Sequence, residues 1–142
     1  DEGSDRTNAA DFPAISISAR SRQILMHSLD EAMNHPRGTA YSSRISEPGR
    51  VAGGKTGTAQ VRRITMMERE SGVKKNKERP WRERDHSLFV GYAPVDKPKY
   101  AVSVVVEHSG GGSRTAAPIA RDVLKEVQRL YAPSQLARRG VT

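Results

Sequence analysis

The string Ala52-Gly53-Gly54-Lys55-Thr56-Gly57-Thr58-Ala59-Gln60 sets one cation, two hydroxyls and three glycines within nine residues. That combination suits an anionic ligand. The ammonium supplies charge, the hydroxyls donate, and the glycines let another backbone come close. On an extended strand alternate side chains share a face. Lys55, Gly57 and Ala59 then lie on one side, and Thr56, Thr58 and Gln60 on the other. At the start of a helix the same residues would do a different job. Gly49 to Thr56 satisfies the phosphate-cradling pattern GxxxxGK[ST]. That pattern works when a buried strand enters its first glycine and a helix leaves after Lys-Thr, so that amides and the helix N-terminus hold phosphate. Here Ser42 to Pro48 makes no apolar strand, and Gly57, Thr58 and Val61 make a poor helix start. Val104-Val105-Val106-Glu107 gives only a weak second nucleotide motif. Nucleotide binding therefore stands as an alternative that lacks both flanks.

An acyl-transfer reaction also needs a nucleophile and a base. Ser71-Gly72-Val73-Lys74 is the one S-x-x-K, and no apolar helix surrounds it. Ser28-Leu29-Asp30 falls in the middle of an expected helix. Asp85, His86 and Ser87 are adjacent on an expected strand, so they alternate in direction and cannot align as a triad. No nucleophile is expected within this chain. His27, His35, His86 and His108 have no metal-ligand spacing, so no metal site is expected either.

The elements that must position these residues follow from periodicity. Residues 1–16 read as an irregular lead-in. A helix follows, capped by Ser16 or Ser18, with Ile24, Leu25, Leu29, Ala32 and Met33 on one face. Asn34-His35-Pro36-Arg37-Gly38 stops it. Three strands are expected near residues 51–61, 86–93 and 99–107, the last two as an antiparallel hairpin. Between the first two, residues 62–85 form a long charged stretch, read as an extended loop or a poorly ordered insertion. Trp81 is expected to anchor that loop, and Met66-Met67 to pack locally. Ala101 to Val106 is almost wholly apolar, as in strands covered on both faces. A last helix begins after Gly110-Gly111-Gly112, capped by Ser113 or Thr115, with Pro118 in its first turn. Its apolar stripe is Ile119, Ala120, Val123, Leu124, Val127 and Tyr131, and Pro133 ends it before a tail over 132–142. The expected class is α+β, three antiparallel strands with flanking helices.

Composition narrows the partners. The 142 residues carry 24 basic and 16 acidic side chains, a formal charge of +8. A basic surface is compatible with a non-catalytic module that binds anionic polymer, a second alternative. Aromatics at 5% are too few for single-strand stacking platforms, so nucleic acid is not an expected partner. There is no cysteine, which removes disulfides and thiolate metal sites. No apolar run approaches the roughly 18 residues that span a bilayer. The acidic start Asp1-Glu2-Gly3-Ser4-Asp5 is not a signal peptide.

The string from Ala52 to Val61 resembles the third motif of class B penicillin-binding proteins, in which K-T-G lies on a strand beside a nucleophilic serine. Four more segments resemble that family in the same order: Arg37-Gly38-Thr39-Ala40, His86 to Pro94, Ala101 to Glu107, and Gly110 to Ala120. The likeness spans residues 17–131 and is strongest to the elongation-type members. It implies the C-terminal portion of a penicillin-binding/β-lactamase-like transpeptidase fold, with 1–142 as a fragment of that domain. It implies a peptidoglycan D,D-transpeptidase whose serine attacks a D-Ala-D-Ala carbonyl, and which β-lactams trap. Lys55 would then supply charge beside the nucleophile and the substrate carboxylate. Thr56 and Thr58 would bind that carboxylate, beside Gly57. The Thr58 N–H would be an oxyanion donor. The family's S-x-x-K and S-x-N motifs precede K-T-G and have no counterpart here, so this chain alone is expected to be inactive. The partners implied are the N-terminal half of the same protein, with the nucleophile and two further strands, peptidoglycan stem peptides, β-lactams and the cell-wall elongation machinery. No cofactor is implied. The place implied is the periplasmic side of the cytoplasmic membrane, with an anchor outside this chain.

Overall fold

A computed structural model describes residues 15–131. The first helix, α1, spans Ala19–Asn34. Strand β1 is Gly53–Ala59, β2 is His86–Ala93 and β3 is Tyr100–Val106. A short helix, α2 (Met66–Ser71), lies between β1 and β2, and α3 (Ala116–Leu130) follows β3. The strands form one antiparallel sheet in the order β1-β2-β3. The expected α+β arrangement is present, with strands trimmed by one or two residues at most ends.

Register decides which side chains meet. Thr56 faces Phe89, which faces Val104; Thr58 faces Ser87, which faces Val106. These residues share the sheet face covered by α3, and Phe89, Ala93, Ala117, Ala120 and Leu124 form its buried core. Removing the fully buried Phe89 ring would cost about 3–5 kcal/mol in such a setting. The opposite face carries Lys55, Gly57, Leu88, Val90 and Val105. There Val90 is 52% and Val105 60% exposed. β3 is therefore not covered on both faces in this chain, as expected where the two further strands are missing. Its residues alternate between partly buried and exposed, and it is a sheet edge among the described residues.

The helices differ from their expected faces in an informative way. Ser18 caps α1, accepting from the Ser21 N–H at 3.0 Å. Yet Ile24 and Leu25 are more than half exposed, and Met33 is the helix's one buried residue. The helix meets the sheet from its middle to its C-terminal end. There Asn34 donates to the Ala52 carbonyl at 2.8 Å, and the Tyr92 hydroxyl donates to the Met26 carbonyl at 3.3 Å. In α3 the stripe splits. Ala120 and Leu124 face the sheet, joined by Ala116, Ala117 and Gln128, while Ile119, Val123 and Tyr131 are exposed. Thr115 occupies the cap position without capping; its hydroxyl donates to the Ser109 carbonyl instead. The expected lead-in lies outside the described residues except for its last two positions, and Pro133 and the tail lie wholly outside them.

Residues 62–85 are not a featureless excursion. Thr65 and Glu68 form a capping box at the start of α2, satisfying two amides that would otherwise lack partners. Arg62 grips both oxygens of Glu68 at 2.7 and 2.8 Å. Arg79 and Asp85 form an ion pair at 3.4 Å with side chains 7% and 11% exposed. Asn76 ties to both the Asp85 carboxylate and its N–H. Trp81 lies against His108, ring centroids 4.4 Å apart, yet stays 57% exposed, so it anchors the loop by one ring contact and not by burial. Met66 and Met67 are 70% and 77% exposed, so they do not pack locally.

Candidate active site

Lys55 stands exposed on β1, the strand whose outer edge is unpaired among the described residues. A ligand lying along such an edge is reached by side chains from both faces and by outward backbone groups. The Lys55 ammonium donates to its neighbour's carbonyl, Thr56 O, at 2.8 Å. It also borders a cleft of ≈ 680 Å³, whose other walls include His27, Glu31, His35, Arg37 and Thr39. The cleft thus lies between α1, the turn that follows it and β1.

That turn is locked to the helix end. The Ala40 N–H donates to the Ala32 carbonyl at 2.9 Å, which satisfies one of the helix's last carbonyls. The turn delivers Thr39 to β1, where the Thr56 hydroxyl donates to the Thr39 hydroxyl at 3.2 Å. Thr39 is a neighbour that the strand pattern did not reveal. Its signal was available in Gly38-Thr39-Ala40, a small-residue step before the strand. Gly57 is half-buried at the middle of β1, opposite Leu88, and Thr58 is exposed. Lys55, Thr56, Gly57 and Thr58 therefore sit together on one rigid strand, as donors of this kind require.

Tyr92, on the same sheet face as Lys55, ties the sheet to α1. Burial, with a smaller contribution from Asp30, pushes its phenol above the ordinary value, and its hydroxyl donates to the Met26 carbonyl of α1. Behind β1, on the α3 face, the glycine run after β3 passes across the sheet at Gly57 and Leu88. Ser109 fixes the start of that run, its hydroxyl donating to the Val106 carbonyl at 2.9 Å and accepting from the Ser87 hydroxyl at 2.8 Å.

The decoys separate in space. Ser71 ends α2, donating to the Met67 carbonyl. Ser28 borders the cleft, but its hydroxyl donates to the Ile24 carbonyl at 2.7 Å. Asp85 turns to Arg79 and Asn76, the His86 Nδ1 accepts the His108 N–H, and Ser87 meets Ser109. The phosphate-loop alternative fails on geometry. Residues 44–48 form no strand, and β1 runs through Lys55 and Thr56 where a helix would have to begin.

A strand edge carrying K-T-G-T in an antiparallel α+β sheet fits the K-T-G strand shared by penicillin-binding proteins and class A β-lactamases. The chain belongs to the penicillin-binding family: the model of the penicillin binding protein transpeptidase domain matches residues 5–125. Among its relatives, the peptidoglycan D,D-transpeptidase MrdA of Haemophilus influenzae is 42% identical over 96 residues, 65% of this chain and 13% of that protein. MrdA of Escherichia coli is 37% identical over 79 residues, 56% of this chain and 12% of that protein. The structure of penicillin-binding protein 2 (PBP2) from Helicobacter pylori, in complex with MreC, superposes with a TM-score of 0.64 at 28% identity. It covers 81% of this chain and 19% of that one. PBP2 from Pseudomonas aeruginosa, in complex with WCK 5153, gives 0.60 at 29% identity over 81% of this chain and 21% of that one. The chain thus spans about an eighth of the length of the curated relatives it matches. The resemblance to elongation-type members is borne out, and neither alternative, nucleotide binder or non-catalytic basic module, gains support from these relatives.

Proposed function

We propose that this chain is the C-terminal portion of a serine-type peptidoglycan D,D-transpeptidase, and forms one wall of its active site. The observation that carries this reading is Lys55-Thr56-Gly57-Thr58 on an unpaired sheet edge, within a family member whose curated relatives are D,D-transpeptidases. The nucleophilic serine comes from the N-terminal part of the same protein, together with further strands that pair beside β3.

In this reading the serine attacks the D-Ala-D-Ala carbonyl of one stem peptide and expels the terminal D-Ala. An amine of a second stem peptide then attacks the acyl-enzyme, and the serine leaves. Lys55 holds positive charge beside the serine and the donor carboxylate. The hydroxyls of Thr56 and Thr58 donate to that carboxylate, and the Thr56–Thr39 bond then reverses so that Thr39 donates to Thr56. The Thr58 N–H donates to the oxyanion of each tetrahedral intermediate, where a rigid, preorganised donor is worth about 10²–10³ in rate. β-Lactams enter as donor mimics. The partners are the cell-wall elongation machinery, in keeping with the relative solved in complex with MreC. The reaction takes place on the periplasmic side of the cytoplasmic membrane, with the anchor elsewhere in the protein.

Labelling with a fluorescent penicillin tests this. The longer protein is expected to take a covalent label on a serine N-terminal to this segment. Residues 1–142 alone are expected to take none, and a covalent label on them would overturn the assignment of the nucleophile.

A further inference from the structure

A second cleft, of ≈ 550 Å³, opens between the 62–85 segment and the glycine run after β3. Its walls carry Lys75, Lys77, Arg84 and Arg114, with Ser109 and Gly111 between them. None of the four cations has a carboxylate within ion-pairing distance among the described residues. By contrast, Arg62, Arg79, Lys125 and Arg129 all have one. Four like charges brought together without counterions repel one another unless something negative joins them.

The cleft is built rather than draped. Arg84 is held by two carbonyls, Nε to Arg79 O at 3.1 Å and Nη2 to Lys77 O at 3.5 Å, so its guanidinium is oriented in advance. The wall bearing Lys75 and Lys77 is pinned to the sheet by the Arg79–Asp85 pair and by Asn76. The opposite wall is pinned by the Gly110 N–H, which donates to the Asp85 carbonyl at 2.8 Å. Gly110 has φ +93°, a conformation that side chains rarely adopt, and a Cβ on Gly111 would meet nothing within 4 Å. The glycines thus leave this wall open to a ligand. The next residue, Gly112, touches the backbone of Gly57. One short loop therefore borders both the cationic cleft and the K-T-G strand.

We infer that this cleft binds a carboxylate of the second, amine-donating stem peptide and so selects the acceptor strand. The inference rests on the transpeptidase reading. A carboxylate fits because paired guanidinium and ammonium donors are suited to a planar oxyanion, and because stem peptides carry free carboxylates away from the reacting amine.

The test uses the longer protein, with a synthetic stem peptide bearing a free amine as acceptor and its carboxamide form for comparison. Fluorescent penicillin labelling reports whether the donor site is assembled. Failure of the unaltered protein to label would sink the transpeptidase reading itself. With labelling intact, Lys77→Gln together with Arg84→Gln is expected to raise the acceptor KM about tenfold, near the loss of one charge-assisted contact, with kcat held within twofold. Amidating the acceptor carboxylates is expected to raise KM similarly in the unaltered protein and to add little in the variant. Equal KM values for the two proteins would overturn the inference, as would an amidation penalty that persists in full in the variant. Inhibition by millimolar inorganic phosphate without any change in acceptor KM would assign the cleft to phosphate and overturn it too. Arg114→Gln, on the opposite wall, repeats the test should the double variant fail to label.

Discussion

Gly112 lies directly against Gly57: a Cβ added to Gly112 would fall 2.5 Å from the Gly57 carbonyl oxygen and within clashing distance of the Leu88 oxygen as well. Both atoms belong to backbone, so the contact cannot be relieved by rotating a side chain. Gly112→Ala is expected to displace β1 at the K-T-G motif and to cost about 1–3 kcal/mol, as overpacking does. In the longer protein the acylation rate with penicillin should fall by more than the loss of folded protein explains. A stopped-flow acylation rate and a melting curve on the same sample separate the two. An unchanged rate per folded molecule would remove Gly112 from the support of the site.

Lys55 and Thr58 should separate by magnitude. Lys55→Ala removes the one cation on the strand edge and is expected to slow acylation about 10²–10³-fold, the scale of a preorganised charge stabiliser. Thr58→Val keeps the backbone N–H and loses only the hydroxyl. It should slow acylation about 10–100-fold, as for one hydrogen bond to a charged group. Penicillin acylation kinetics rank them, and a larger loss in Thr58→Val would mean that the hydroxyl, not the amide, carries the strand's main role.

The last two strands were legible because β-branched and aromatic residues cluster at residues 86–93 and 99–107. The K-T-G string was legible because its residues are contiguous. Thr39 was not, since its contact with Thr56 joins two loop and strand hydroxyls that no periodicity relates. The exposed Ile24 and Leu25 show the limit of a helical stripe, which marks the apolar face without saying what covers it. Order in the 62–85 segment was invisible for another reason. It arises from particular pairs, Arg62 with Glu68 and Arg79 with Asp85, drawn from a run in which almost any pairing looked equally available.

The Arg79–Asp85 pair should behave as a buried ion pair does. Asp85→Ala strands a guanidinium in a site 7% exposed and is expected to cost about 3–5 kcal/mol. Arg79→Met with Asp85→Leu should cost less than Asp85→Ala, because no charge is left unpaired. Chemical denaturation of the three proteins checks the order, and a double variant worse than the single one would contradict it.

Glu68 offers a pH test with a definite sign. The hydrogen bond from Arg62, then that from the Thr65 N–H, lowers its carboxyl from 4.5 to about 2. A carboxylate depressed on folding contributes stability that is complete above its ordinary value and disappears as pH falls through the folded value. The α2 cap should therefore persist at pH 4 and loosen near pH 2. The NMR titration midpoint of the Glu68 carboxyl should lie near 2 and return toward 4.5 in Arg62→Ala. A midpoint near 4.5 in the unaltered protein would show that the grip is absent in solution.

Ala59 and His86 face each other across the β1–β2 ladder, so everything from residue 60 to residue 85 leaves and re-enters the fold at a single rung. Closing a loop costs free energy that grows only with the logarithm of its length. A change of length at residues 72–73, between α2 and the part held by the Arg79–Asp85 pair, should therefore have little effect on the register of the sheet.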